Sequence, residues 1–385
     1  RTYQIDEINS VEKTPFDKVI EFIVDECDKA APELPVSYKD FYNETGRATR
    51  GMAMSVKARA LLYAASKLHN PSHATDKWEK AAKAAYDIIQ TGWYTLPNID
   101  VDPLYDVNGG NVILNSSQLI FERRNNDDNA FESRNLPIGF ENGNSGNTPT
   151  QNLVDAYEMA DGTPFSWENT KHASKPYSGR DPRFYKAILY NEASFMGTKI
   201  ETFEGGRNAS PITGATLTGY YLRKYMNETV SLSPTNPIKK PHHFVLFRYA
   251  ETLLNYAEAM NELGGPDYTA DELPISARTA LNKVRSAANM PDITDNGDDF
   301  TARLRNERRV ELAFEDHRFW DIRRWMIGDV VKDIYGVKIT KKGSKYSYTP
   351  TKIQTRVWNE KMNLYPIAQS EIYKNGNLTQ NDGWE

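Results

Sequence analysis

Apolar positions recur with a helical period through the first hundred residues. After the helix-starting pair Thr14-Pro15, apolar side chains return every three or four positions as far as Cys27. Two more helices are predicted over residues 50–68, which are rich in Ala and Ser, and over residues 78–90. This helix–turn–helix rhythm is typical of tetratricopeptide units, which bury their apolar faces only by stacking on neighbours.

The periodicity breaks down over residues 96–245. Asn, Gly, Pro, Asp and Thr interrupt it, and eight Asn fall between Asn125 and Asn152. The pattern predicts loops with short strands near residues 118–122 and 183–190. Because a loop region of this length in a compact protein is usually functional, we take it as the candidate ligand-binding region.

Helical periodicity returns at Phe247. Further helices are predicted over residues 247–264, 276–288, 299–314 and 317–327, the last as a helix or a tight turn. Beyond Gly328 the chain becomes turn-rich and aromatic. We therefore predict a mainly α-helical protein in which tetratricopeptide-like helix pairs support a loop-rich region with short β-strands. Its parts are residues 1–95, 96–245, 246–331 and 332–385, all within one compact domain.

Composition narrows the possible partners. The 385 residues carry 47 Lys and Arg against 52 Asp and Glu, a net charge of −5, and contain no basic block. This argues against nucleic acid as a partner, since phosphate binding needs concentrated positive charge. No run approaches the roughly 18 apolar residues of a membrane-spanning helix. The single cysteine, Cys27, excludes an internal disulfide and a four-cysteine zinc site.

Catalytic motifs find little support. Glu307 and Glu311 lie one helical turn apart and could in principle serve as an acid and a base. However, Arg305, Arg308 and Arg309 crowd the same segment, so an ion-pair network between helices is the favoured interpretation. Arginines this close would also keep the carboxylates ionised, which is the wrong state for a general acid. We predict no enzymatic activity, no metal and no cofactor.

The loop-rich middle instead has the chemistry of a sugar-binding surface. Aromatic rings stack on the apolar faces of sugars, while amides and guanidinium groups bond to the hydroxyls. Loops rich in Asn and Gly are also what ordinary turns look like. The candidate stacking platforms are Phe140, Trp167 and Tyr177, and the candidate hydrogen-bonding groups are Arg134, Asn135, Asn142 and Asn144.

Several motifs, in order along the chain, carry a resemblance to a known family. The most specific are the segment 248–259, which ends in Leu-Asn-Tyr-Ala-Glu-Ala, and the segment 306–325, which begins Asn-Glu-Arg-Arg-Val-Glu-Leu. Further matches lie at residues 46–51, 151–162, 181–184, 224–225 and 380–384. With these motifs the chain resembles the SusD/RagB family of outer-membrane glycan-binding lipoproteins from about Thr14 onwards.

The resemblance implies a function and a location. Members of the family bind oligosaccharides or polysaccharides at the cell surface without cleaving them, and deliver them to a SusC-like TonB-dependent transporter of the outer membrane. The resemblance also implies a signal peptide, a lipid-bearing cysteine and further helical repeats upstream of Arg1. We therefore expect an outward-facing protein whose association with the outer membrane is only through a lipid anchor in that segment.

Other functions stay open at this point. A RagB-like relative would bind peptides in place of glycans, and a tetratricopeptide scaffold would hold a protein partner. An all-helical glycoside hydrolase is a third alternative, because it too needs aromatic and acidic side chains. The matching motifs belong chiefly to the scaffold, so the seven candidate site residues rest on their position in the loops that flank residues 151–162.

Overall fold

Helices dominate the computed structural model, which describes residues 10–38, 46–106 and 110–385. The helices of these residues are α1 Phe16–Glu33, α2 Arg50–Ala65, α3 Thr75–Ile89, α4 Ala130–Asn135, α5 Gln151–Val154, α6 Thr170–Ser174, α7 Pro182–Ala187, α8 Tyr249–Gly264, α9 Ala277–Ala287, α10 Gly297–Glu311, α11 Arg318–Arg324 and α12 Gln369–Lys374. The predicted mainly α-helical fold is thus confirmed. Six of the seven predicted helices lie within a few residues of their expected bounds, and the seventh, predicted over 317–327, is the shorter helix α11.

Four two-stranded antiparallel sheets accompany the helices in the described residues. Their strands are β1 Leu119–Asp128, β2 Ile188–Leu189, β3 Ser194–Phe195, β4 Thr198–Lys199, β5 Tyr221–Leu222, β6 Lys240–Arg248, β7 Asp333–Lys342 and β8 Lys345–Thr355. The pairs are β1 with β6, β2 with β5, β3 with β4, and β7 with β8.

The largest apolar core joins the helices of the two ends of the chain. Ala81, Ala82 and Ala85 of α3 are buried, as are Ala250 and Ala257 of α8, and all belong to one cluster. Small side chains on both surfaces let the helix backbones approach closely, so the α2–α3 pair packs directly against α8, and α9 and α10 pack on α8 in turn. This packing is the rigid frame on which the loop-rich middle is mounted.

Two local predictions were wrong, each for a local reason. Residues 183–190, expected as a strand, form helix α7 and only then the two-residue strand β2, because Asp181 caps the helix and Pro182 occupies its first turn. The C-terminal hairpin of β7 and β8, which turns at Gly343 with φ +61°, was missed. Strand β8 is almost wholly exposed, so it lacks the buried-face alternation that marks a strand.

The arginine-rich helices form the expected ion-pair network. The Arg183 guanidinium bonds to both Glu307 and Glu311, and Arg248 pairs with Glu311 from another direction. Burial disfavours an ionised Glu311, but the two arginines outweigh that cost and lower its pKa to about 2. Glu311 is therefore a buried anion at neutral pH, which agrees with a structural role.

Candidate functional site

Strand β1 borders two neighbouring cavities. Its first residues, Leu119 to Glu122, line one of them, and Arg123 and Asn125 line the other. We call the first the aromatic cleft and the second the basic cavity. The ladder between β1 and β6, with Arg123 opposite Phe244, holds this boundary in place.

The aromatic cleft has a volume of about 580 Å³ and collects four rings from separate segments. They are Tyr38, Trp93, Tyr94 and Phe121. Trp93 keeps 36% of its surface exposed, so its ring is available to a ligand. Hydroxyl, amide and charged side chains stand between the rings, among them Ser37, Arg47, Thr49, Asn115, Ser117 and Glu122. Such a mixture of flat apolar faces and hydrogen-bonding groups suits a sugar chain.

Helix α2 sets the position of the rings. A side chain at Gly51 would place its Cβ 2.0 Å from the Tyr94 hydroxyl, so the glycine lets Tyr94 lie directly on the helix. Trp93 then stands nearly perpendicular to Tyr94, with ring centres 6.5 Å apart, and the Arg50 guanidinium lies 5.9 Å from the Trp93 ring centre. Burial raises the pKa of Tyr94 to about 12, which keeps its hydroxyl protonated.

The basic cavity has a volume of about 450 Å³ and lies between β1, β6, α4 and the turn at residues 223–227. Its wall contains five cationic side chains, which are Arg123, Arg134, Lys186, Arg223 and Lys224. Phe131, Tyr225 and Phe244 add an aromatic surface, with Phe131 edge-on to Tyr225 at 6.5 Å between ring centres. Positive charge beside aromatic rings is a second recognition chemistry next to the cleft.

Two histidines of β6 also line the basic cavity and are held by buried carboxylates. The His242 Nε2 lies 2.9 Å from Glu132, and the His243 Nδ1 lies 3.2 Å from Glu122. Burial disfavours the imidazolium form of His242, but the hydrogen bond to Glu132 outweighs it and raises the pKa of His242 above its usual value. These pairs fix the register of β6 against α4 and β1.

The structure does not bring the seven predicted site residues together. Arg134 lies in the wall of the basic cavity, and Tyr177 borders a separate shallow hollow with Tyr190 and Tyr348. Tyr177 is only 8% exposed and packs against the rings of Phe184, Tyr190, Tyr220 and Tyr348, so little of its surface is left for a ligand. None of the other five lines the cleft or the basic cavity in the described residues.

Those five side chains have partners within the protein. Phe140 meets Phe195 edge-on at 5.5 Å, and the Trp167 indole N–H donates to Asp155 at 3.1 Å. Three asparagines each donate their side-chain amide to a backbone carbonyl, two within their own loop and one to the segment around Leu232. The three bonds are Asn135 to Phe131, Asn142 to Leu232 and Asn144 to Ser133, at 2.9, 3.0 and 3.1 Å. Their ligand-binding roles stay predictions.

Of the seven candidate site residues chosen from the sequence, only Arg134 lines one of the two cavities. Trp93 follows Gly92 directly after a predicted helix, and Arg123 lies beyond the predicted strand 118–122. The available signal was a Trp-Tyr pair just after a helix-terminating glycine, together with basic residues on β1. What no pattern could supply is that β1 brings these separate segments side by side.

Two further features bear on the class of protein. Among the described residues, no group of three or more His, Cys, Asp or Glu side chains is placed to hold a metal ion. No described helix combines the length and the apolar character needed to cross a bilayer. Helix pairs that present a loop-rich face with two open cavities define a helical ligand-binding scaffold.

Comparison with known proteins identifies the family. The sequence profile of the SusD family, also named SusD/RagB, matches residues 115–384, which is more than two thirds of the chain. This chain therefore belongs to the SusD family, which confirms the resemblance found in its motifs.

Individual relatives are more distant and longer. A SusD-like protein of Formosa agariphila is 26% identical over 245 residues, which cover 61% of this chain and 38% of that protein. A second one from the same organism is 35% identical over 102 residues, or 26% of this chain and 19% of the relative. The chain thus matches about two fifths of the length of the first relative and about one fifth of the second.

Solved structures match over nearly the whole chain. A SusD-like protein of Bacteroides fragilis is 26% identical with a TM-score of 0.80, covering 99% of this chain and 74% of the other. A SusD-like carbohydrate-binding protein of the same organism, also 26% identical, has a TM-score of 0.75 with coverages of 98% and 74%. A laminarin-binding SusD-like protein, 24% identical with a TM-score of 0.58 and coverages of 99% and 72%, shares the fold.

Proposed function

We propose that this protein binds an oligosaccharide or polysaccharide at the aromatic cleft beside β1 and does not cleave it. The observation that carries the proposal is the exposed Trp93 ring, set among three further rings and several hydrogen-bonding side chains. Membership of the SusD family and the similarity to a carbohydrate-binding protein of Bacteroides fragilis support it. Glu311 is one of the two glutamates that the sequence offered as a catalytic acid or base. It is buried and ionised, which supports a non-catalytic role.

The expected affinity follows from the kind of contact. Stacking of a ring on a flat apolar face contributes on the order of 1 kcal/mol, by analogy with aromatic pairs. Only some of the four rings touch a given sugar, and the hydrogen bonds are exposed to solvent. We therefore expect affinities of micromolar or weaker. Weak binding suits a protein that captures a glycan and then releases it.

Replacing Trp93 by Ala tests the cleft. We expect the affinity for the bound glycan to fall about fivefold, because the most exposed ring of the cleft is lost and about 1 kcal/mol of stacking corresponds to a factor of about five. The measurement is isothermal titration against a panel of plant, host and microbial oligosaccharides and tryptic peptides. A reducing-end assay on the same samples reports any cleavage.

The matched control is Trp320→Ala. Trp320 is 43% exposed on α11 and lines neither cavity in the described residues, so its loss should leave the affinity unchanged. Equal affinities of the Trp93 variant and the wild type would remove the cleft from the proposal. New reducing ends would contradict the non-catalytic role, and saturable binding of peptides alone would favour the RagB-like alternative.

We further infer that the protein delivers its glycan to a SusC-like TonB-dependent transporter at the outer face of the outer membrane, where a lipid holds it. Family membership supports this inference. If it holds, the tagged protein purified from gently solubilised membranes of its native host should carry a large outer-membrane β-barrel protein in near-equal amount. Recovery of the protein alone, after cross-linking of intact cells, would contradict the partnership.

A further inference from the structure

We propose that the glycan is anionic, and that the basic cavity binds a carboxylate or sulfate group of the sugar chain while the aromatic cleft binds its rings. This inference rests on the proposed glycan-binding function and names the class of substrate. It is carried by the charge balance of the cavity wall, by the origin of its cations and by the adjacency of the two cavities along β1.

The charge balance begins with the cations that the protein already neutralises. Arg223 pairs with Glu228 at 2.8 Å, and Lys224 pairs with Glu315 at 2.6 Å. Burial lowers the pKa of Lys224, although the neighbouring Glu315 opposes the shift. These two cations therefore contribute little uncompensated charge. The carboxylates of Glu132 and Glu122, which bond to His242 and His243, do not line this cavity.

Three cations of the wall have no such partner. Arg123, Arg134 and Lys186 form no ion pair or side-chain hydrogen bond with the described part of the chain. Asp106 is the one carboxylate among the lining residues that the structure describes. The cavity wall thus keeps a surplus of positive charge in a chain whose net charge is −5.

The three cations come from three separate elements. Arg123 lies on β1, Arg134 on α4 and Lys186 on α7, and the fold brings them to one cavity of about 450 Å³. Like charges that converge repel one another, so their convergence lowers stability unless an anion joins them. A carboxylate or a sulfate fits best, because a guanidinium offers paired N–H donors to planar or tetrahedral oxyanions.

Strand β1 connects the charged cavity to the aromatic cleft. Phe121 in the cleft and Arg123 in the cavity are two residues apart on the strand, so their Cα atoms are about 7 Å apart. A sugar chain that stacks in the cleft can therefore extend its next charged substituent towards Arg123. A neutral glycan would fill the cleft but would leave the surplus positive charge of the basic cavity without a counter-charge.

The test uses pairs of oligosaccharides that differ only in charge. Oligogalacturonides are compared with their carboxyl-reduced forms, and sulfated galactan oligosaccharides with their desulfated forms, by isothermal titration. We expect at least one anionic member to bind tenfold or more tightly than its neutral counterpart, and the pair that responds distinguishes carboxylate from sulfate. Its affinity should fall as sodium chloride is raised, because screening weakens exposed charge interactions.

Charge-removing variants locate the effect. The double variant Arg123→Gln/Arg134→Gln, and separately Lys186→Gln, should reduce the preference for the anionic form about tenfold while leaving the affinity for the neutral form unchanged. Arg356→Gln and Lys345→Gln remove exposed cations of the β7–β8 hairpin region and serve as matched controls. Thermal denaturation confirms that each variant is folded.

The outcomes separate this inference from the proposed function. Binding of neutral oligosaccharides as tightly as the anionic ones, or an anionic preference that survives in the double variant, would overturn the inference and leave glycan binding in place. Absence of binding to any saccharide, charged or neutral, would overturn both. Preference for the anion that is lost only in the cavity variants supports the assignment.

Discussion

Replacing Arg248 by Met should lower the free energy of unfolding by about 3–5 kcal/mol, the range found when one partner of a buried ion pair is removed. Arg248 is 2% exposed. Its guanidinium pairs with Glu311 at 2.5 Å and with Glu315 at 2.7 Å, and it also donates to the Glu311 carbonyl. Methionine fills the space but leaves two buried carboxylates with less positive charge to offset them.

Urea unfolding monitored by fluorescence and by circular dichroism would measure this loss. Arg356→Met, a change at an exposed guanidinium that contacts only Gln354 among the described residues, is the control and should alter the free energy by no more than about 0.5 kcal/mol. If Arg248→Met lowers the free energy of unfolding by less than 1 kcal/mol, water or side-chain movement compensates the buried carboxylates. The ion-pair network would then not be the main interaction that holds the helices together.

The presence of this network could be predicted from the sequence, whereas its connections could not. The density of Arg and Glu in residues 305–324 favoured ion pairs over catalysis. The partners, however, come from distant positions, with Arg183 of α7 and Arg248 of β6 both reaching Glu311. Spacing along one helix indicates which side chains share a face, but not which remote arginine faces them.

The elements themselves were predictable to the extent that one face of each is buried. Helices α3 and α9 alternate buried and exposed positions, α2 alternates buried with partly buried ones, and α8 is buried on all sides from Ala250 to Met260; all four lie where the apolar pattern placed them. Helix α7 and the β7–β8 hairpin did not, since the first depends on capping by Asp181 and the second has one strand with scarcely a buried residue. Capping decided the first case, and the lack of a buried face decided the second.

For the site, only one of the seven residues chosen from loop composition lines either cavity, and the ligand-binding roles of all seven stay predictions. Arg134 does line a cavity, but the asparagines near it donate their amides to backbone carbonyls of the protein. Tyr177 is in a core of aromatic rings. A linear sequence shows which side chains could bind a sugar, while burial and strand pairing decide which of them are free to do so.

Acid should destabilise the protein in two steps as the pH falls from about 6.5 to about 2. In the upper step the responsible group is His317, whose pKa is lowered to about 4, chiefly by burial and also by Arg308 and Arg59. In the lower step Glu251 and Glu311 contribute. Burial opposes their ionisation, but Arg59 for Glu251, and Arg248 with Arg183 for Glu311, lower each pKa to about 2.

The sign is the same for both steps. Between pH 6.5 and 4, His317 is protonated in the unfolded chain but not in the folded protein. Between pH 4.5 and 2, Glu251 and Glu311 are likewise protonated in the unfolded chain before they are protonated in the folded protein. Stability therefore falls as the pH falls, by about 3 kcal/mol for each group across its window at 1.4 kcal/mol per pKa unit. His69, with a pKa lowered by burial, adds to the upper step, whereas His242, with a raised pKa, changes the stability only above pH 6.5.

His317→Gln separates the two steps. Glutamine keeps a hydrogen-bonding side chain beside Arg308 but cannot titrate, so most of the loss between pH 6.5 and 4 should vanish while the loss below pH 4.5 remains. Urea unfolding at half-unit pH intervals measures both. Glu204→Gln, in an exposed ion pair with Lys338, is the control and should leave the profile as it is in the wild type. If the stability loss between pH 6.5 and 4 is unchanged in His317→Gln, a different group takes up the proton. The buried imidazole of His317 would then not be the group that makes this ion-pair core sensitive to mild acid.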